Sequence, residues 1–191
     1  TCIDDTLAAA EVSGPNGRVT YYEHLAKILD GPGRPAVRHR AVSRLSAADA
    51  DEVYAPLLKL TRAPAMVTGG TDVAVVSLGL PDVLSGMDAE TFERLLAACV
   101  DLVRGARLCP VLLATPPSYP VEGLDLRPFA RAVQQVAQNR GIPVADLYSA
   151  FDAYGGGRSS LYRLQDEFVL SNAGHRPATR IMASSPLEQM D

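Results

Sequence analysis

Between Asp72 and Asp82 the chain reads DVAVVSLGLPD. From Val73 to Leu78 it is apolar except for Ser77, rich in valine, and shows no alternation of apolar and polar residues. A strand with one face in water alternates, whereas a strand covered on both faces is apolar throughout. Asp72 to Leu78 is therefore expected to be a buried strand of a parallel sheet. Gly79 and Pro81 mark the point where the chain leaves it. Leu108 to Ala114 is a second run of the same kind, stopped by Pro116-Pro117.

Working outward, helical and extended patterns alternate. Thr1 to Ile3 reads as the end of a strand, and with no initiator Met the chain is expected to lack upstream residues. Val19 to Leu29 reads as a helix and Ala36 to Val42 as a short strand. Ser46, with Asp49 three residues on, forms a capping-box-like pair that opens a helix to about Leu60. Gly69-Gly70 marks a turn. Asp88 is placed to cap a helix whose Phe92, Leu95, Leu96, Cys99, Val100 and Val103 fall on one stripe at helical spacing. Arg127 to Arg140 is a helix closed by Gly141, Ile142 to Asp146 is a further strand, and Asn172 to Ala183 is a last helix. Alternation of this kind builds a parallel sheet with helices on both faces, and such sheets bind ligands beyond the carboxyl ends of their strands.

Composition narrows the function classes. The 191 residues suit one domain, spanning 1–191, with a sizeable core, and 47% of them are hydrophobic. The net charge is -4, and no basic cluster is dense enough to follow a phosphate backbone, so nucleic acid is not an expected partner. The longest apolar stretch, Val73 to Leu80, is far short of the roughly 20 residues that cross a bilayer, so no membrane association is expected, and no segment reads as a signal peptide. Cys2, Cys99 and Cys109 have no metal-ligand spacing, and an odd count argues against a full disulfide framework. Cys99 and Cys109 are expected in the core, and a reducing, cytoplasmic setting fits best.

Four segments, in order, resemble the SGNH/GDSL esterase and lipase family. They are Ile3-Asp4-Asp5-Thr6-Leu7-Ala8-Ala9-Ala10-Glu11, His39-Arg40-Ala41-Val42-Ser43-Arg44, Gly79-Leu80-Pro81-Asp82, and Asp166-Glu167-Phe168-Val169-Leu170-Ser171-Asn172-Ala173-Gly174-His175. They correspond to the family's I-G-D-S-L-T-A-G-E, N-x-A-V-S-G, G-x-N-D and D-x-x-H-L-N-x-x-G-H blocks, and the likeness extends from Cys2 to Ala183. The resemblance implies an α/β fold, a flavodoxin-like three-layer α/β/α sandwich around a five-stranded parallel sheet. It also exposes departures. Thr6 stands where the family has its nucleophilic Ser, Arg44 and Pro81 where a Gly and an Asn help bind the oxyanion, and Val169 where a His is the general base. Asp5, Gly79, Asp82, Asp166, Gly174 and His175 keep the family's residues.

Ester hydrolysis needs an activated hydroxyl, a proton acceptor and donors aimed at the developing oxyanion. A threonine hydroxyl is a weak nucleophile without an adjacent base. Val169 accepts no proton, which leaves Asp166 with nothing to orient, and Pro81 has neither an N–H nor a side-chain donor. Losing one oxyanion donor costs roughly 100- to 1000-fold in rate. These changes argue against the family's mechanism.

The candidate catalytic residues are Thr6, Asp5, Asp4 and His39. Each also has a plainer role. His39 is either a base approaching Thr6 or a surface histidine. Asp4 is either a new acid or base facing Thr6 and Arg44 or a loop-capping carboxylate, and a carboxylate pair beside a cation can separate acid and base roles. Arg44, Pro81, Asp82 and Val169 are candidate pocket residues. Arg44 is able to grip a carboxylate or phosphate at two points, or to pair with Asp4 or Asp49 on the surface. Asp82 either joins the acidic pair or supports its loop. Gly79, Asp166 and His175 are supporting residues, and His24 is a solvated helix residue. Gly155-Gly156-Gly157 with Arg158 is a flexible loop that would serve as a lid, without the Lys-Ser/Thr of a phosphate-binding loop. Asp4, Asp5, Asp82 and Asp166 are suggestive oxygen ligands, but no calcium or magnesium loop spacing is present, so a metal is not expected; no cofactor is expected either. The favoured expectation is a repurposed pocket for a small, anionic metabolite. A pseudoenzyme with a protein partner and a residual Thr6 esterase are the alternatives.

Overall fold

The computed structural model describes residues 2–4, 39–41, 73–105, 108–114, 124–154, 162–163, 166–170, 177–178 and 180–181. Among them, strands β1 (Cys2–Asp4), β2 (His39–Ala41), β3 (Val73–Leu78), β4 (Cys109–Ala114) and β5 (Val144–Asp146) form one parallel sheet in the order β2-β1-β3-β4-β5. This is the flavodoxin-like doubly wound order, with its switch point between β1 and β3. The helices are α1 (Leu80–Leu84), α2 (Ala89–Gly105), α3 (Arg127–Arg140) and α4 (Leu147–Asp152). A separate antiparallel pair, β6 (Tyr162–Arg163) and β7 (Asp166–Leu170), lies late in the chain. Residues 177–178 and 180–181 are helical, inside the helix expected from Asn172 to Ala183. The helices expected at Val19–Leu29 and Ser46–Leu60, the Gly69-Gly70 turn and the Gly155–Gly157 loop lie outside the described residues.

The continuous apolar runs fold as their composition dictates. Ser77 and Leu78 are both buried, and β4 is buried from Pro110 to Ala114. Consecutive strand residues point to opposite faces, so both faces of these strands are covered. Helices α2 and α3 pack side by side against β4. The α2 stripe enters this core with Phe92, Leu96, Cys99, Val100 and Val103 buried and Leu95 partly so. From α3 come Phe129, Ala130, Ala132, Val133, Val136 and Ala137. The Phe92 and Phe129 rings meet at 5.0 Å and 50°, a tilted pairing worth about 0.5–1.5 kcal/mol beyond its buried area.

Polar side chains mark the helix ends. Asp88 Oδ1 accepts the Thr91 amide at 2.8 Å, satisfying one of the orphan donors of the first turn of α2. That bond to the charged form holds the exposed Asp88 carboxyl below its usual range. At the end of α3, Gly141 adopts φ 58°. Its amide donates to the Gln138 carbonyl and that of Ile142 to the Ala137 carbonyl, a Schellman stop that favours glycine at the left-handed residue. Arg140 donates to Asp101 at 2.7 Å, while Arg104 donates to the Arg140 carbonyl at 2.6 Å, tying the ends of α2 and α3 together.

Several expectations are corrected. Cys109 is exposed. As the first residue of β4 it is paired with Val73 at the strand's amino end, before the helices cover the sheet. The fifth strand starts at Val144 because Ile142 is occupied by the α3 stop. Four elements were not anticipated: the short helices α1 and α4, and the strands β6 and β7.

Two measurements check these local arguments. Asp88 has a lower pKa folded than unfolded, so its stabilising effect is present above the ordinary aspartate value and is lost as pH falls through the folded one. Asp88→Asn keeps a capping oxygen but does not titrate. The stability advantage of wild type over this variant, measured by urea melts, is expected to be constant above about pH 5 and to shrink below about pH 4. Alkylation of the native protein followed by peptide mapping is expected to label Cys109 and spare Cys99, which is fully buried, until the chain is unfolded.

Candidate functional site

The carboxyl ends of β1 and β3 flank the switch point, where a doubly wound sheet opens a crevice. Asp4 ends β1 and pairs in register with Ser77 of β3 and Ala41 of β2. Gly79 follows two residues beyond Ser77 and leads directly into α1. The start of the first block and the whole third block are thus brought to the same end of neighbouring strands. Asp5, Thr6, Arg44 and His175 lie outside the described residues.

The third block is sharply bent. Gly79 takes φ 133° and ψ -33°, a region that residues with a Cβ rarely enter. Its carbonyl accepts the Val83 amide at 3.0 Å, which starts a helical turn at once. Pro81 lies in the first turn of α1, where a helix has no use for the N–H that proline lacks. Pro81 is half-buried, whereas Asp82 is fully buried. The Asp82 carbonyl accepts from Ser85 Oγ at 2.7 Å and from the Met87 amide at 3.0 Å, folding the end of α1 back onto its start. Leu84, at the end of α1, is 57% exposed.

Other candidates lie elsewhere. His39 opens β2 and pairs with Cys2, so its backbone sits about 7 Å behind the level of Asp4 at ordinary strand rise. That register sets its backbone back from the carboxyl end of β1. Asp166 and Val169 lie in β7, whose partner is β6, outside the five-stranded sheet. Among the described residues, no group of three His, Cys, Asp or Glu side chains is arranged to hold a metal ion.

Asp146 is a residue whose part sequence reasoning did not bring out. At the carboxyl end of β5, its Oδ2 accepts Gln134 Nε2 at 2.6 Å and its Oδ1 accepts the Ser149 amide at 2.9 Å. It therefore joins β5, α3 and the start of α4. The signal was present as an aspartate with a serine three residues on, at a strand end.

The bend at Gly79 predicts a stability effect. Gly79→Ala forces a Cβ into this backbone region and is expected to cost about 1–3 kcal/mol, read as a lower urea midpoint with an unchanged slope.

Comparison with known proteins follows this geometry. The model of the GDSL-like lipase/acylhydrolase family matches residues 5–176. No protein of curated function matches the sequence. Solved structures do match in fold. A lipase/acylhydrolase from Enterococcus faecalis is 16% identical with a TM-score of 0.67, over 95% of this chain and 92% of that one. A lipolytic G-D-S-L family protein from Veillonella parvula is 16% identical with a TM-score of 0.70, over 95% and 94%. The acetyl xylan esterase AlAXEase is 18% identical with a TM-score of 0.70, over 96% and 98%. Identities this low speak for the fold alone. The family match, in contrast, covers most of the sequence: the chain belongs to the GDSL-like lipase/acylhydrolase family.

Proposed function

We propose that this member of the GDSL-like lipase/acylhydrolase family has given up ordinary ester hydrolysis and uses its strand-end pocket to bind, or act on, a small anionic metabolite. The observation that carries this is Pro81. It sits in the first turn of α1 beside the switch point, at the position matched to an oxyanion-binding asparagine. It has no N–H and no side-chain donor to offer a developing negative charge. The helix accepts proline there without strain, so the loss of the donor is compatible with an intact frame. Complete burial of Asp82 suits a carboxylate that supports the loop.

The sequence departures point the same way. Val169 stands where the family has its general-base histidine, and a threonine hydroxyl such as that of Thr6 is a weak nucleophile without an adjacent base. Arg44, matched to a family glycine, adds a fixed cation with five donors, suited to gripping a carboxylate or phosphate. Asp4, the last residue of β1, and Asp5 after it in the sequence add two acidic residues to the first block. Within this proposal the protein works in the cytoplasm. Among the described residues no helix is long and apolar enough to cross a membrane, and the odd cysteine count fits a reducing setting.

A second reading is a pseudoenzyme that binds a protein partner through the same end of the sheet. Exposed Leu84 on α1 favours it. A single leucine is a small apolar surface, which ranks this reading second.

Two experiments test the proposal. Wild type and Thr6→Ala, incubated with p-nitrophenyl acetate and butyrate, are expected to show the same background rate. Turnover that disappears in Thr6→Ala would overturn the loss of hydrolysis. A thermal-shift screen of small carboxylates and phosphates is expected to yield a stabilising compound. At about 100 times its Kd such a ligand contributes about 2.7 kcal/mol, or roughly 5–10 °C in a chain of this size. Arg44→Ala is expected to abolish the shift. A screen without hits, together with a specific protein captured in pull-downs and lost on Leu84→Ser, would instead favour the interaction module.

A further inference from the structure

No further inference is drawn: the strongest candidate, the open pocket at the amino ends of β4 and β5 where exposed Cys109 lies with Arg104, Leu108, Ile142 and Pro143, carries nothing because it rests on a lone cysteine and nothing in the structure shows what occupies it.

Discussion

Strand β3 has to bury both faces and pair both edges. Its main chain bonds to β1 on one side and β4 on the other, and its side chains from Val76 to Leu78 are withdrawn from water. Unpaired backbone groups in such surroundings would be costly, so the strand stays straight and central until it can leave the sheet. It leaves at Gly79, the first residue free to turn sharply, and α1 begins immediately. The β1–β3 boundary is also where the chain changes direction across the sheet. One buried strand thereby sets the place of the crevice and the identity of the loop that borders it.

The parts of the fold that could be read in advance are those where a local pattern and a tertiary demand coincide. Helix α2 is an example: Asp88 is a competent cap, the apolar stripe has helical period, and the stripe is what the sheet needs to be covered. Helix α3 ends where Gly141 allows a left-handed residue. The failures have the opposite cause. The five residues of α1 include a proline and are too few to show a period. Helix α4 follows β5 without a break, and its Leu147, Tyr148 and Phe151 prolong the apolar content of the strand before it. Cys109 belongs to an apolar run, yet run membership says nothing about which end of a strand the covering helices reach.

The site was legible in a different way. Nothing in periodicity marks Gly79-Leu80-Pro81-Asp82 as special. Its order relative to the other blocks does, and the family match over residues 5–176 spans it. What sequence could not supply is register. Asp4 and His39 both flank the crevice strands in one dimension. The pairing of His39 with Cys2 and of Asp4 with Ser77 separates them along the strand axis. A block alignment treats residues as present or absent, whereas hydrogen-bonded register decides whether they share a level.

Register and burial also show that neighbouring residues of the Gly79-Leu80-Pro81-Asp82 block answer to different physical constraints. Gly79 makes the exit from β3 with a backbone conformation that residues with a Cβ rarely adopt, and Asp82 is buried inside the folded loop. Pro81 is under no such demand. It sits half-buried in a first helical turn that needs no amide donor, so the turn itself makes little demand on the residue at this position. Adjacent residues of one block therefore carry different physical constraints, and a substitution at one position need not disturb the next. The family follows from the match over residues 5–176, whereas an activity has to be argued from individual side chains.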